Sequence, residues 1–426
     1  MLIVPGFKRN ISENLTVHIA EEEEEINEII KLNIAVHGED LENPMKNLFK
    51  EHPNKKIILW IYVKDIKLNK IVSTGILLPE ILNFEGIKIP ICEMGFVATL
   101  ESYRNKGLFQ KVNDLYEEVM EEYGYIISAI RGIPYYYRRF NYEFSIPFNN
   151  PFIISPSKIP DTELHNIKIY KATIDKLGLL ESLYNEWVKD YNITLDYSKD
   201  AFTYRFLSKV SNEFRFKSFI VEEDGKIYGF FSIGTFFGEK DVITFSSKLT
   251  KDQIIKVLQY LRTKREKSSS EKNQNHVLTI LTPENSDFGK IIRSFGGKMD
   301  SAWKWQILIP NIGKFLKKIK PILEKRINNS LFKNLTLDFR LSNYRETFIL
   351  KFKKGNIFNI LNEKGYPEPN ICDLRVPYSF INKIILGDCS IEEMHYIIQD
   401  ALFKPESLPI INVLFPKKDS YLLSYY

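Results

Sequence analysis

Hydrophobic positions in the first 130 residues fall into runs whose spacing alternates between helical and extended. Between Glu21 and Gly38 an acidic first turn precedes Ile26, Ile29, Ile30, Leu32 and Ile34, and this spacing predicts a helix. The apolar run Ile57–Val63, a polar turn at 64–70 and a second run from Ile71 to Leu77 predict a hairpin. A third run, Ile87 to Thr99, predicts a strand that ends at a basic turn containing Gly107. Leu108, Val112, Leu115 and Val119 then recur at i, i+4, i+7 and i+11, one face of a helix. The continuous apolar stretch Tyr125–Ile130 reads as a strand buried on both faces.

A weaker echo of this order starts near Ile167. A helical stretch at Lys176–Trp187 leads to a hairpin over Phe219–Ile233, a helix around Ile254–Leu261 and a strand at Val277–Leu281. Lys226-Ile-Tyr-Gly is placed like Lys70-Ile-Val-Ser, and Arg293-Ser-Phe-Gly-Gly297 resembles Arg138-Arg-Phe-Asn-Tyr142, which together suggest a diverged internal duplication. The polar stretch Arg262–His276 is expected to be a surface loop. From about Asn311 the texture changes. A basic amphipathic helix (Phe315–Ile327), strands at Leu335–Leu341 and Thr347–Phe352 and a helix near Tyr378–Leu386 follow. Apolar runs at 410–415 and 421–426 close the chain, the last expected to be a strand. The fold class is α/β (α+β) with mixed sheets.

Composition narrows the function classes. At 426 residues the chain is too long for one ordinary core, and 44% hydrophobic with 27% charged residues are globular values. A net charge of +5 is mild for this length and argues against a nucleic-acid partner. With Glu324 inside it and no interleaved aromatics, the basic helix at 314–326 reads as a solvated face. Cys92, Cys372 and Cys389 are widely spaced and form neither a disulfide framework nor a zinc site. His18, His37, His52, His165, His276 and His395 show no metal-type spacing, and none is expected beside the basic turn, so no metal is assigned. The N-terminus lacks a signal-peptide pattern, and Ile57–Val63, the longest strongly apolar stretch, is far short of a membrane span. A cytoplasmic location and no membrane insertion are expected.

The informative segment is Gly95-Phe-Val-Ala-Thr-Leu-Glu-Ser-Tyr-Arg-Asn-Lys-Gly-Leu-Phe-Gln110. A strand ends, a turn carries Arg104, Asn105, Lys106 and Gly107, and a helix starts at once. A helix N-terminus presents unpaired N–H groups, and a glycine lets the backbone approach a phosphate closely. This stretch resembles the acetyl-coenzyme A loop of the GNAT acetyltransferases, R/Q-x-x-G-x-G/A, read here as Arg104-Asn-Lys-Gly107-Leu-Phe109. Phe109 departs from the small residue usual there, as in the Eis-like (enhanced intracellular survival) subgroup. Arg131-Gly-Ile-Pro-Tyr-Tyr-Tyr-Arg-Arg-Phe-Asn-Tyr-Glu-Phe144 looks like that subgroup's Tyr-x-Arg-Phe-Gly-Tyr segment, with Asn141 for glycine. Asn tolerates left-handed backbone angles, so the turn can survive.

The resemblance implies tandem GNAT folds followed by a domain like sterol carrier protein 2. The boundaries it suggests are 1–155 for a GNAT domain with the acetyl-CoA site, 156–310 for a degenerate second copy, and 311–426 for the third domain. The late segment Leu414-Phe-Pro-Lys-Lys-Asp-Ser-Tyr421 fits that third domain. Carried over residue by residue, Val97, Ala98 and Thr99 would meet the pantetheine arm and acetyl carbonyl through main-chain groups. Arg104 would add charge, and Asn105, Lys106, Gly107, Leu108, Phe109 and Gln110 would hold the pyrophosphate. Tyr137 would be the general acid for the departing thiolate, with Tyr135 and Tyr136 as core aromatics. The second copy has Thr244-Phe-Ser-Ser-Lys-Leu-Thr250 where a loop would be, and no cofactor is expected there.

No His or Glu of the first domain stands out as a base. The resemblance suggests the C-terminal carboxylate, here on Tyr426, in that role. The function implied is N-acetyl transfer from acetyl-CoA to a primary amine. The partner is a small-molecule or peptide amine acceptor, such as an aminoglycoside amine, a lysine side chain or a polyamine-like compound. A homo-oligomer is left open. The alternative is a lipid or small-molecule binding protein with vestigial transferase domains, and behind it a scaffold or nucleic-acid protein. The intact loop and Tyr137 argue against the first, and the mild net charge of +5 argues against the second.

Overall fold

The computed structural model describes residues 3–148, 150–236, 238–268, 277–300, 303–366, 368 and 371–423. Contacts group the chain into two compact bodies, Met1–Ile146 with Trp305–Lys418, and Pro147–Lys304 with Asp419–Tyr426.

The first body opens with β1 (Lys8–Asn10), β2 (Leu15–Ile19), α1 (Glu23–His37), α2 (Glu42–Lys50), β3 (Leu59–Asp65), β4 (Lys70–Phe84) and β5 (Ile87–Thr99). It continues with α3 (Leu108–Tyr123), β6 (Ile127–Ile130) and β7 (Glu143–Pro147). The acidic run starts α1 as expected: the Glu25 carboxylate accepts from the N–H groups of Glu21 and Glu22, satisfying donors that a helix start leaves open. β4 runs well past Leu77, because Glu85 and Gly86 both adopt positive φ (44° and 93°) and make a two-residue hairpin turn that pairs Phe84 with Ile87. Pro79 is tolerated within β4 because β3 pairs with it only through Leu77.

Strand alternation sorts the helices to two faces. Ile61, Val63, Leu77, Cys92 and Met94 pack with Leu108, Val112, Leu115, Tyr116 and Val119 of α3. Trp60 and Tyr62 point the other way, toward α2 and α1, where Trp60 meets Phe49 edge-on and the Tyr62 hydroxyl donates to Glu25. Burying each such aliphatic side chain contributes about 1.5–3 kcal/mol before the cost of ordering it.

β1 to β6 lie side by side in chain order, and every described pairing is antiparallel until β5 meets β6 in parallel. Beyond β6 the neighbour is the strand Lys304–Leu308, and β7 follows it. The second body repeats this order. Ile167–Lys171, Lys217–Glu223, Lys226–Phe236 and Glu239–Ser246 run antiparallel, and Glu239–Ser246 meets Leu278–Leu281 in parallel. Pro151–Ile154 then pairs with Leu278–Leu281, and Lys298–Met299 pairs with Pro151–Ile154. The strand that follows β7 along the chain thus joins the second sheet, and the strand that follows Lys298–Met299 joins the first.

Residues 312–418 add the helix Ile312–Asn328 and a sheet ordered Asn356–Lys364, Glu346–Lys353, Leu337–Ser342, Leu374–Arg375, Leu402–Phe403. They are tied to β4 and its turn. Phe315 stacks on Phe84 at 6.3 Å, and Glu85 takes ion pairs from Arg326 (3.2 Å) and Lys418 (2.8 Å).

Two expectations change, and a third stretch gains its element. The stretch from Arg262 is not a loop at its start: the helix Lys251–Ser268 continues through it, since Arg262 and Arg265 reach back to Asp161 and Glu239, and residues 269–276 lie outside the described set. The run at 410–415 is mostly the helix Leu408–Leu414. Asp419–Leu423 is no strand either. Isolated backbone bonds hold it, from Asn192 N to Asp419 O (2.7 Å) and from Tyr421 N to Ile193 O (2.8 Å).

Candidate active site

β5 and β6 pair over three residues only, Ile91 with Ile127, Cys92 with Ser128 and Glu93 with Ala129. Past Glu93 no pairing between them is described, and on its other edge β6 pairs with the strand Lys304–Leu308, Gln306 facing Ile130. The edge Met94–Thr99 is therefore left without a ladder partner on that side. β5 also bulges there. Ile76 faces Gly95 and Thr74 faces Ala98, so two steps along β4 answer three along β5, and Phe96 takes φ 48°. A bulge re-aims the backbone, which gives Val97, Ala98 and Thr99 an edge that can accept an extended ligand.

The turn after β5 ends in an open helix start. Asn105 and Gly107 have φ 61° and 71°, and α3 begins directly after Gly107 with no side-chain cap and no acidic residue in its first turn. A Cβ on Gly107 would meet nothing within 4 Å, so the space over the helix end is empty of protein. Arg104 and Lys106 are exposed beside it. Arg104 Nε donates to Thr99 O (3.3 Å), and Lys106 Nζ sits 4.7 Å over the Tyr103 ring, whose hydroxyl donates to Asp65 (2.7 Å). Positive charge, free first-turn N–H groups and open space suit a pyrophosphate. Leu108 and Phe109 could contribute only main-chain groups, because both side chains are core. The Phe109 ring packs edge-on against Tyr137 (5.8 Å) and Phe140 (5.0 Å), which explains why a large residue stands there. Gln110 turns its amide to Asp114 (2.7 Å).

The three tyrosines separate sharply. Tyr135 is 80% exposed at φ 69°, so it is no core aromatic. Tyr136 is half-buried, and burial raises its pKa against the pull of Arg139. Tyr137 is buried in the α3-side cluster, 5.0 Å from Tyr136 and 6.2 Å from Tyr142. Asn141 does adopt the left-handed conformation, φ 63°, ending the 3₁₀ turn Tyr136–Phe140.

Under the fork lies a closed polar chain. Tyr116 Oη is 2.7 Å from Ser128 Oγ, which is 2.7 Å from Tyr142 Oη, and Tyr116 donates to Cys92 Sγ at 3.2 Å. Burial pushes the Cys92 thiol up to about 12, so it stays protonated and is no nucleophile.

Two residues passed over in the sequence stand at the fork. His37, the last residue of α1, places Nε2 2.9 Å from Val97 O. Glu93 is fully buried where β5 and β6 part, 3.8 Å from Arg131, whose guanidinium lies 5.9 Å from the Trp305 ring. No local motif marks either one, since both depend on contacts across the sheet. Tyr426 lies outside the described residues.

The second sheet has a different loop at the matching place. Thr250 N–H donates to Gln253 Oε1 (3.0 Å), and Gln253 N–H donates to Thr250 Oγ1 (3.4 Å), so the helix Lys251–Ser268 closes its own start. Among the described residues no cluster of His, Cys, Asp or Glu is placed to hold a metal, and no helix is long and apolar enough to cross a membrane.

Comparison with known proteins agrees with this geometry. Residues 18–145 match the family described as Acetyltransferase (GNAT) domain, the segment that holds the fork and the open helix end. The chain carries a GNAT acetyltransferase domain and is an acyltransferase. In fold it is similar to a GCN5-related N-acetyltransferase from Anabaena variabilis ATCC 29413, at TM-score 0.70 and 12% identity over 97% of this chain and 100% of that one. It is similar to a conserved Enterococcus faecalis V583 protein of unknown function, at TM-score 0.69 and 13% identity over 97% and 100%. Eis1 from Mycobacterium abscessus has TM-score 0.59 and 8% identity over 97% and 100%. No curated protein sequence matches.

Proposed function

We propose that the chain is an N-acetyltransferase that moves the acetyl group of acetyl-CoA directly to a primary amine at the β5–β6 fork. The observation that carries this reading is the uncapped start of α3 at Gly107, set directly after the unpaired edge Val97–Thr99. Main-chain groups of Val97, Ala98 and Thr99 would hold the pantetheine arm. The N–H groups of the first α3 turn, with Arg104, Asn105, Lys106 and the backbone of Leu108 to Gln110, would hold the pyrophosphate. Bound acetyl-CoA supplies a thioester whose carbonyl carbon an amine attacks, forming C–N and breaking C–S.

Tyr137 would donate its phenolic proton to the departing sulfur, and backbone N–H groups of the β5 edge would steady the oxyanion. A phenol of pKa about 10 giving up its proton to a thiolate of pKa about 8.5 is mildly uphill in water. The α-carboxylate of Tyr426 as base is an expectation of the resemblance to Eis-like enzymes, and a C-terminal extension tests it.

The second body is proposed to be a degenerate GNAT domain without a cofactor site, and residues from about 311 a sterol-carrier-like domain. The acceptor class proposed is an aminoglycoside amine, a lysine side chain or a polyamine-like compound. Calorimetric titration with acetyl-CoA, followed by an acceptor screen read by thiol release, tests the reading. Saturable binding that Gly107→Glu removes is expected. No binding at millimolar acetyl-CoA would overturn it and favour a lipid or small-molecule carrier.

A further inference from the structure

The amine that attacks a thioester must first lose a proton, and the fork carries a group placed to take it. His37 closes α1, and its Nε2 lies 2.9 Å from the carbonyl oxygen of Val97, sixty residues away. A carbonyl can only accept, so Nε2 is the protonated nitrogen, and in the neutral ring Nδ1 is left with a bare lone pair. Among the described residues His37 makes no other hydrogen bond, and its side chain is exposed. The Val97 carbonyl thereby fixes both tautomer and ring orientation, as an orienting partner does for a catalytic imidazole.

The placement matters as much as the tautomer. α1 lies on the face of the sheet to which Tyr62 points, and Tyr137 belongs to the cluster on the α3 face. His37 thus meets the β5 edge at Val97, next to the bulge at Phe96, while Tyr137 lies in the cluster on the other face of the sheet. The amine adds to the carbonyl carbon and sulfur leaves from the resulting tetrahedral adduct, so the base that serves the nitrogen and the acid that serves the sulfur are separate groups. Glu93, also at the fork, is fully buried beside Arg131, whereas the His37 imidazole is exposed to water.

We propose that His37 is the general base of this acetyltransferase, accepting the proton of the acceptor ammonium at Nδ1 while Val97 O holds Nε2–H. The assignment rests on the acetyl-transfer reading above. The ammonium passes one proton to Nδ1, the freed lone pair forms the C–N bond, and C–S breaks as the tetrahedral adduct collapses. Tyr137 gives its proton to sulfur and recovers one from the new amide nitrogen, and His37 passes its own to water. One proton is released per turnover, so the balance closes.

Three measurements test it. In the protein without any ligand, long-range ¹H–¹⁵N NMR of the histidine rings should show neutral His37 protonated at Nε2, and an Nδ1–H ring would overturn the proposal. His37→Gln keeps an N–H donor for Val97 but has no basic nitrogen. Both His37→Gln and His37→Ala should lower kcat by about 10²-fold while acetyl-CoA affinity stays within about threefold of wild type. For a weakly basic acceptor, which arrives already deprotonated, the loss should shrink to about tenfold or less. Rescue by His37→Gln would make His37 a positioning donor and overturn the base role. So would full turnover of His37→Ala, or loss of turnover on extending the chain past Tyr426 while His37→Gln stays active. A wild-type protein that binds no acetyl-CoA would instead sink the underlying reading, a result distinct from each of these.

Discussion

Gly132 and Tyr137 interlock: a Cβ built on Gly132 would overlap the Tyr137 ring at Cδ2 and Cε2. The bare backbone of Gly132 is what lets the phenol lie in the α3-side cluster. Gly132→Ala should therefore displace the ring, costing about 1–3 kcal/mol of stability. It should also cut turnover about as far as Tyr137→Phe, about 10²-fold, with acetyl-CoA affinity nearly unchanged in both variants. Thermal melts, calorimetry and steady-state rates check the three parts. Wild-type turnover in Tyr137→Phe would move the acid role elsewhere.

Gly107 offers a graded test of the anion site. Its φ of 71° strains any L-residue, yet its missing Cβ faces open space. Gly107→Ala should cost only about 1 kcal/mol and leave acetyl-CoA binding within a few-fold. Gly107→Glu adds a carboxylate beside the first-turn N–H groups and should abolish binding. Titration calorimetry on the pair separates backbone strain from charge.

His18 makes stability fall in mild acid. Burial and then Lys8 lower its pKa to about 4, with Glu25 opposing them and Lys64 adding a smaller push downward. It stacks on Tyr62 at 4.7 Å and sits 2.7 Å from Thr16 Oγ1. The unfolded chain takes up this proton near pH 6.5, before the folded one does, so stability drops as pH falls from about 6.5 to about 4. The half-buried setting reduces the effect to about 1–2 kcal/mol. His18→Phe keeps the stacking and removes the titration. Urea midpoints at about pH 7.5 and about pH 5 should differ less for it than for wild type.

The first sheet should not survive alone. A fragment of residues 1–150 lacks Lys304–Leu308, which covers the edge of β6, and the Gln306 side chain that donates to Gly132 O at 2.9 Å. It also lacks Phe315 against Phe84. Circular dichroism melts should show no cooperative transition for the fragment, and gel filtration should show aggregation through the exposed strand edge. A sharp melt of a monomeric fragment would refute this.

The sequence by itself determined what repeats locally. Helix and strand periods placed α1, α3, β3 and β5 to within a few residues. The coupling of a basic, glycine-bearing turn to a helix start marked the proposed anion site, because N–H groups and charge within one short segment carry that property. Asn141 was legible for the same reason, since its backbone preference is intrinsic. Tertiary structure alone decided the rest. The length of β4 came from the turn at Glu85–Gly86 and the partner that turn brings back. The course of Arg262 and Arg265 as helix came from carboxylates distant in sequence. The exchange of Pro151–Ile154 and Lys304–Leu308 between sheets left no trace in either segment, since an apolar strand carries no label for its partner. His37 and Glu93 read as an ordinary helix end and an ordinary strand residue. Only tertiary packing sets the first against the Val97 carbonyl and buries the second beside Arg131, because contacts across a sheet depend on which elements come together, a property of the whole fold.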